Sequence, residues 1–318
     1  MAYTTINDPS AYFHTQLYTG NATARSITND ANAGDFKPDW VWIKVRNNAN
    51  NHRLFDSSRG GNNDLVSNSN STESGASGRL TTFNTNGFSL GTNAETNSNT
   101  HNIVSWQWKA NGGTTASNTD GSITTTVQAN TDAGFSIVTF TGNATNGATI
   151  GHGLGGTPEW VYIKNRDTAV DWAMGHKSFM GANAENLRAS GTGTPADAGD
   201  AAGSHWSRTA PSSTVITLGS GGDGNFSTDT NRAEAHIAYC FRSIQGYSKI
   251  GSYKGNGNNN GTFVYTGFKP AWVITKRTDS ANSWPISDNA RNPFNVVDIS
   301  SYANLASDAN TVSNHYDS

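Results

Sequence analysis

The sequence is poor in charged residues, in cysteine and in basic clusters, and each shortage excludes a class of protein. Only 14% of the 318 residues are charged, and the formal net charge is -3. No run of Lys or Arg is present, so neither nucleic acid nor an anionic membrane is the expected partner. The single cysteine, Cys240, excludes a framework of intrachain disulfide bonds.

Segments that would direct the chain to a membrane are also lacking. The opening residues, MAYTTI, contain neither a basic stretch nor an apolar one, so they do not predict a secretory signal. No apolar run approaches the roughly 20 residues of a membrane-spanning helix. We therefore expect synthesis in a cytoplasm without membrane insertion. If the protein acts outside cells, we expect lysis or assembly into a particle to carry it there.

The residues that are abundant are Asn, Thr, Ser and Gly, and aromatic residues reach 10%. The small polar residues favour turns and strand edges over helix interiors. No segment longer than about ten residues carries a helical apolar stripe. Together these features predict an all-β protein with many loops and aromatic cores.

One nonapeptide occurs three times, as PDWVWIKVR at 38–46, PEWVYIKNR at 158–166 and PAWVITKRT at 270–278. Other landmarks keep the same order. YTGN at 18–21 matches FTGN at 140–143 and YKGN at 253–256, and VSWQWK at 104–109 matches IAYCFR at 237–242. The prolines at 38, 158 and 270 are 120 and 112 residues apart, too far for a solenoid repeat. Each copy is therefore predicted to be a whole domain.

The repeated nonapeptide reads as a central strand. Pro38 cannot donate to a sheet, so it belongs at the start of the strand. Alternation then places Trp40 and Trp42 on one face and Val41 and Ile43 on the other, and both faces are apolar. A strand of this kind is covered on both sides. We interpret the three equivalent residues, Trp40, Trp160 and Trp272, as core anchors, with ligand stacking as the alternative.

These patterns predict tandem antiparallel β-sandwich domains. The boundaries are 1–110 for the first copy, 111–130 for a polar linker with a short strand near 123–127, 131–244 for the second copy and 245–318 for the third. The third copy is expected to be incomplete, because the equivalent of Leu90 and Leu218 would fall near position 322 to 330 by the spacing of the other copies. A fragment is the preferred interpretation, and completion of the third copy by another chain is the alternative.

Several stretches together resemble a known family. They include DPSAYFHTQLYTGN, FKPDWVWIKVRN, HRLFDSSRG, NTNGFSLGT, GHGLGGTPEWVYIKNRD and GSYKGNGNNNGTFVYTGFKP, which cover almost the whole chain. The chain is similar to tandem-repeat tail-fibre or virion structural proteins of tailed bacteriophages, chiefly marine ones. That resemblance implies jelly-roll sandwiches of the concanavalin-A-like lectin type and a place in the virion. It also implies self-association as a homotrimer, contact with other virion proteins and contact with host cell-surface glycans.

An enzymatic role receives little support from the residues. A glycan hydrolase needs two carboxylates about 5–10 Å apart. Asp56 and Asp288 align across copies, but the second copy has His176 there, so no pair recurs in every domain. Cys240 lies at a strand centre and His152 lies in the glycine-rich turn GHGLGG, which are unpromising places for a nucleophile and a base. The sequence predicts that the protein is not an enzyme, with a single hydrolase site in one copy as the alternative.

A calcium loop is a second candidate. Asp223, Asn225, Asp229 and Glu234 fall at positions 1, 3, 7 and 12 of that template. Thr228 stands where the template requires Gly, and the flanks read as strands. Acidic turns between strands are the simpler explanation, so no cofactor is predicted and calcium is kept as an alternative.

Sugar binding is the third candidate. His52, Trp172 and Trp284 align across the copies just after the central strand, and Asp171 precedes Trp172. A Trp beside an acidic or amide residue offers the flat apolar face and the hydrogen-bond partners that a sugar requires. Trp206 has no equivalent in the other copies. The candidate glycan site is therefore Asp171, Trp172, Trp284 and Trp206, and the alternative is that these indoles cover the ends of sandwich cores.

The function predicted from these patterns is that of a virion structural and adhesive protein, a tail-fibre or appendage component that contacts host glycans. A capsid-decorating or other virion protein without receptor binding is the first alternative. A glycan-degrading enzyme is the second.

Overall fold

The computed structural model describes residues 4–30, 35–181, 185–197, 205–220, 230–258 and 260–316. These residues form strands and loops in several antiparallel sheets, which confirms the predicted all-β fold. The helical elements among them are α1 (Ala94–Asn97) and a 3-10 turn at Pro9–Ala11. In the described ranges, no helix has the length and apolarity to cross a membrane.

Repeat 1 comprises strands β1 to β8. A five-stranded sheet has the order β1-β8-β3-β4-β5, and a three-stranded sheet has the order β2-β7-β6. The strands are β1 (Phe13–Thr19), β2 (Arg25–Ile27), β3 (Trp40–Val45), β4 (Arg53–Asp56), β5 (Asp64–Val66), β6 (Leu80–Phe83), β7 (Phe88–Leu90) and β8 (Asn102–Trp108).

The two sheets of repeat 1 pack face to face around an apolar core. Val41 and Ile43 of β3 meet Phe88 and Leu90 of β7 across that core. All six residues of β3 are buried, so this strand is covered on both faces as its alternation predicts. The indoles of β3 lie on the opposite face, where the three-stranded sheet does not reach.

Repeat 2 comprises strands β9 to β18. The large sheet has the order β16-β15-β14-β13-β18-β11-β10-β9, and β12 pairs with β17. The strands are β9 (Ala116–Asn118), β10 (Thr125–Asn130), β11 (Phe135–Thr141), β12 (Thr149–Gly151), β13 (Trp160–Asn165), β14 (Ala173–His176), β15 (Glu185–Arg188), β16 (Ala196–Asp197), β17 (Val215–Thr217) and β18 (Ala235–Phe241).

The segment 111–130 is part of this sheet and is not a free linker. Its second half forms β10, which pairs with β11 along Thr126–Asn130, and β9 pairs with β10 in turn. Val127 packs into the core beneath the sheet with Ile150 and Ile216. The polar composition of 111–130 reflects an edge of the sheet, where alternate side chains face water.

Repeat 3 comprises strands β19 to β22. Its one sheet has the order β19-β20-β21-β22, from β19 (Trp272–Ile274), β20 (Pro285–Asp288), β21 (Val297–Tyr302) and β22 (Asn310–Tyr316). The stretch 249–271, where repeats 1 and 2 carry their first strands, contains no strand among its described residues. The described residues of repeat 3 therefore contribute a single layer.

The three repeats are joined by a central core to which each of them contributes. The indole face of each large sheet turns inward, and the three faces enclose one apolar volume. Its larger members are Trp40, Trp42 and Trp106 of repeat 1, Tyr162, Trp172 and Tyr239 of repeat 2, and Trp284 and Ile286 of repeat 3. Repeats 1 and 2 thus each have their own core on one face and share this one on the other.

Trp40 lies near the middle of the central core and is 1% exposed. Its ring stacks on Tyr239 at 4.6 Å between centroids and lies 4.5 Å from Trp108. We predict that Trp40→Ala lowers the free energy of unfolding by about 3–5 kcal/mol, because it leaves a cavity between two repeats. Urea denaturation followed by circular dichroism measures this change. Phe263→Ala is the control, since Phe263 is 84% exposed and its loss should change stability by less than ~0.5 kcal/mol.

Candidate functional site

The structure buries all three tryptophans of the predicted glycan site. Trp172 and Trp206 are 0% exposed and Trp284 is 3% exposed. Trp172 and Trp284 lie in the central core, and Trp206 lies in the core of repeat 2 beside Met180. Rings packed in this way cannot stack on a sugar, so the burial overturns the glycan hypothesis at these positions.

The aligned tryptophans instead connect neighbouring repeats. The indole Nε1–H of Trp172 donates to the Val66 carbonyl oxygen of repeat 1 at 2.9 Å. The indole of Trp284 donates to the Gly191 carbonyl oxygen of repeat 2 at 3.1 Å. The third aligned residue, His52, is buried in repeat 1 and accepts at Nδ1 from Trp42 Nε1 at 2.8 Å. These positions agree with the alternative that the indoles cover the ends of sandwich cores. In addition, the Trp172 and Trp284 indoles each donate a hydrogen bond to another repeat.

Asp171, the fourth predicted glycan residue, is half-buried and accepts from the Ser190 hydroxyl. That bond ties the start of β14 to the turn after β15. The carboxylate therefore organises a loop of repeat 2, beside the Gly191 carbonyl that Trp284 uses.

Two Asp–Arg clamps are repeated in the same geometry. In repeat 1, Arg59 Nε donates to Asp56 Oδ2 at 2.5 Å, and the Arg59 backbone N–H donates to Oδ1 at 2.9 Å. In repeat 3, Arg291 Nε donates to Asp288 Oδ2 at 2.6 Å, and its backbone N–H donates to Oδ1 at 2.8 Å. All four side chains are buried, so each charge is paired as burial requires.

Each clamp receives one donor from the neighbouring repeat. The Tyr239 hydroxyl of β18 donates to Asp56 Oδ2 at 2.7 Å, and Trp106 Nε1 of β8 donates to Asp288 Oδ2 at 3.0 Å. Tyr239 and Trp106 are equivalent in the repeats, so these are two copies of one contact. We name them the 1–2 junction, Asp56 with Tyr239, and the 3–1 junction, Asp288 with Trp106. Repeat 2 donates to repeat 1 at the 1–2 junction, and repeat 1 donates to repeat 3 at the 3–1 junction. The two contacts therefore have the same direction around the central core.

Three equivalent lysines, one from each repeat, interact with loops of a neighbouring repeat in the same order around the central core. Lys164 of repeat 2 donates to the Asn70 carbonyl oxygen of repeat 1 at 3.3 Å. The equivalent Lys276 of repeat 3 donates to the Thr192 carbonyl oxygen of repeat 2 at 3.1 Å. The equivalent Lys44 of repeat 1 lies in the field of Asp308 of repeat 3, and burial lowers the pKa of its amine to about 8.

Glu73 links repeats 1 and 2 through ion pairs at a partly exposed side of their contact. Its carboxylate accepts from Arg166 of repeat 2 at 2.8 Å and from Arg59 of its own repeat at 2.9 Å. Although burial opposes ionisation, the hydrogen bonds from Arg166 and the charge of Arg59 lower the pKa of Glu73. This glutamate is therefore held as a structural anion.

The Tyr239 hydroxyl allows a direct test of the 1–2 junction. Burial raises the pKa of Tyr239 and of Tyr162 well above the usual value, so both phenols stay protonated. Tyr239→Phe removes the donor to Asp56 and should lower the free energy of unfolding by about 1–3 kcal/mol.

Tyr162→Phe is the matched control, because the Tyr162 hydroxyl is buried in the same repeat and no described atom is its hydrogen-bond partner. Its removal should leave stability unchanged or slightly raised in the same denaturation experiment. Equal losses in the two variants would contradict a role for the junction bond.

The calcium candidate lies mostly outside the described residues. Asp223, Asn225, Thr228 and Asp229 are not described, and Glu234 is described. Glu234 accepts from Asn165 at 2.5 Å and from Thr168 at 2.9 Å. Within the described part of the chain, no three His, Cys, Asp or Glu residues are grouped as a metal site would need.

The two residues considered as nucleophile and base are structural in this fold. Cys240 is fully buried in the core of repeat 2, and burial raises the pKa of its thiol to about 12. His152 is also fully buried, and its Nδ1 accepts from the Leu154 N–H at 3.2 Å. That acceptor requires the neutral ring, and burial lowers the His152 pKa to about 4.

His152 gives stability a defined dependence on pH. The unfolded chain binds a proton here below about pH 6.5, whereas the folded chain does so only near pH 4. Stability from this residue is therefore present above pH 6.5 and is lost as the pH falls to 4, by at most ~3 kcal/mol. Denaturation of His152→Asn across this range should show a shallower loss than the wild type. Parallel curves would contradict the assignment.

An open cleft of about 420 Å³ lies where the end of β8 meets the end of β10. Its polar lining includes Lys109, Asn111, Asn130 and Asp132, and its aromatic residue is Tyr12. The Lys109 ammonium lies 5.7 Å from the centre of the Tyr12 ring. An aromatic ring with a carboxylate and amides is the composition sought in a sugar site, here in a partly accessible place.

Sequence reasoning missed this cleft because its residues come from two repeats. Tyr12 and Lys109 belong to repeat 1, and Asn130 and Asp132 belong to the start of repeat 2. The signal present in the sequence was the aromatic Tyr12 beside the first strand, but only the return of 111–130 into the sheet brings it near Asp132.

Comparison with known proteins gives a family without a known activity. A family described as a domain of unknown function (DUF7483) matches residues 8–317, which include all three repeats. No curated protein and no solved structure matches the chain.

Proposed function

The chain belongs to the DUF7483 family, whose function is unknown, and we propose that it is a structural and adhesive component of a bacteriophage particle. In this proposal it is a tail-fibre or appendage subunit that contacts host cell-surface glycans. The motifs quoted above support the phage assignment, since they resemble tandem-repeat fibre proteins along almost the whole chain.

The central core is the observation that supports the proposed structural role. The three repeats bury aromatic residues against one another in this core, and each Asp–Arg clamp accepts one hydrogen bond from a neighbouring repeat. Side chains that sequence reasoning offered for chemistry, including Cys240 and His152, are held in cores. A body built in this way suits a part that must stay folded outside the cell.

The cleft at Tyr12 supports the adhesive part. It is open to solvent, and Asp132 at its rim is exposed, so a ligand could reach both. A single small polar cleft of this size suits one or two sugar units bound weakly. Display of many copies on a particle would then raise the avidity without new contacts.

Glycan-array binding of the intact chain tests the adhesive part. We expect binding, and we expect Tyr12→Ala with Asp132→Ala to weaken it by about tenfold or more through loss of ring contact and of charged hydrogen bonds. Asp279→Ala is the matched control, because Asp279 is an exposed carboxylate of repeat 3.

Two outcomes would contradict the proposal. Absence of binding at high valency would remove the adhesive role. Equal binding by the cleft variant and the control would move the site elsewhere. Mass spectrometry of purified particles for this chain tests the virion assignment separately, and its absence from particles would overturn that assignment.

A further inference from the structure

One position of the repeated pattern has a different chemistry at the contact between repeats 1 and 3. His52, Trp172 and Trp284 are equivalent residues of the three repeats. The indoles of Trp172 and Trp284 donate to backbone oxygens of a neighbouring repeat, and an indole has no acid–base equilibrium near neutral pH. The imidazole of His52 takes the third place. Of the three side chains, it is the one that can take up a proton in mild acid.

The His52 side chain is enclosed at the contact with repeat 3. It is 0% exposed, and its Nε2 edge lies beside the backbone of Tyr302 and Leu305. Tyr302 is the last residue of β21, just as Val66, which accepts from Trp172, is the last residue of β5. Each of β5 and β21 pairs with the strand that follows the central strand of its repeat. His52 and Trp172 therefore meet equivalent places on the neighbouring repeat.

The two ring nitrogens of His52 face groups of opposite kind, which fixes the neutral form of the ring. Nδ1 accepts from Trp42 Nε1 at 2.8 Å, so Nδ1 carries no proton. The proton of the neutral ring is therefore on Nε2, which faces the backbone oxygens of Tyr302 and Leu305 more loosely than in a full hydrogen bond. A second proton would have to go on Nδ1, where it would meet the indole N–H of Trp42.

The surroundings of His52 also oppose a positive charge. Burial, and then the charges of Lys44 of β3 and Arg291 of repeat 3, lower the pKa of His52 well below its usual value. The carboxylates of this region act on those two cations: Asp288 pairs with Arg291, and Asp308 and Glu95 act on Lys44. The closed contact therefore excludes the protonated ring.

Other bonds between repeats 1 and 3 lie next to His52. The Trp106 ring is stacked on His52 with 6.5 Å between centroids, and its Nε1 donates to Asp288 at the 3–1 junction. The Ser67 hydroxyl donates to the carbonyl oxygen of Ala303, the residue after β21, at 2.6 Å. If repeat 3 moves away from this place, the His52 ring meets water and regains an ordinary pKa of about 6.5. The open state thus binds a proton that the closed state excludes.

We propose that His52 is an acid-sensitive switch for the contact between repeats 1 and 3. The neutral ring closes the contact, and its protonation favours an open state in which β21 and the residues after it leave repeat 1. The contribution of His52 to the closed contact is fully present above about pH 6.5 and is lost as the pH falls. Trp172 does not titrate at the equivalent place, so the contact between repeats 1 and 2 stays closed.

Two backbone amides report the two contacts separately. The Ala309 N–H of repeat 3 donates to the Arg46 carbonyl oxygen at 2.8 Å, and the Glu73 N–H of repeat 1 donates to the Arg166 carbonyl oxygen at 2.9 Å. Arg46 and Arg166 are equivalent, because each ends the repeated nonapeptide. Hydrogen exchange of the full chain, resolved by NMR and divided by the intrinsic exchange rate at each pH, measures the opening at each amide.

The two amides should respond differently to acid. We expect the protection of the Ala309 amide to fall by up to about 25-fold between pH 7 and pH 5, as for a site of pKa about 6.5 that binds its proton only in the open state. The protection of the Glu73 amide should change by less than about threefold. An equal fall at both amides would overturn the proposal, and so would an Ala309 amide that is unprotected at pH 7.

The His52→Gln variant removes the titration and keeps the shape of the contact. Its amide oxygen can accept from Trp42 and its NH₂ group can face repeat 3, and neither group titrates. The protection of Ala309 should then stay within about twofold from pH 7 to pH 5. His152→Asn is the matched control, because it removes a buried histidine of repeat 2 and should retain the wild-type fall at Ala309.

Persistence of the full fall in His52→Gln would overturn the proposal. Loss of the fall in His152→Asn would assign it to the wrong histidine and would overturn the proposal as well. If His52→Gln does not fold, the comparison of the Ala309 and Glu73 amides in the wild-type chain still decides.

Discussion

A β-sheet that is apolar on both faces needs a cover on each, and this constraint governs the whole molecule. In repeats 1 and 2 a small outer sheet covers one face with apolar side chains. The other face carries tryptophan and tyrosine, and only another repeat covers it. Because the required cover is a second sheet of the same kind, the repeats close around one another and do not follow in a row. The Asp–Arg clamps then fix which repeat meets which.

The sequence was sufficient to predict the strands, but it did not show which layer packs against each of them. Alternation along β3 correctly implied burial of both faces, since Val41 and Trp42 are both fully buried. What alternation cannot encode is the identity of the covering layer. Trp172 and Trp284 therefore looked like exposed loop residues beside polar neighbours, although each lies against a carbonyl oxygen of another repeat. The same limit applies to 111–130, whose polar residues suggested a linker because pairing of β10 with β11 is a long-range property of the fold.

Burial also changes the meaning of the ionisable residues. Asp56 and Asp288 occupy equivalent positions in two repeats, and each is neutralised within its own hairpin by an arginine three residues later. Arginine suits this place, because its planar group satisfies a carboxylate and a backbone carbonyl at once. The match to the DUF7483 family spans all three repeats.

The contact between repeats 1 and 3 has a mechanical consequence. Independent domains joined in series yield one after another under tension, each at its own force. Here Trp106 of the first repeat is bonded to Asp288 of the last, and Ser67 donates to the Ala303 carbonyl oxygen beside it. Pulling repeats 1 and 3 apart therefore breaks these bonds and exposes part of the shared aromatic interior in the same event.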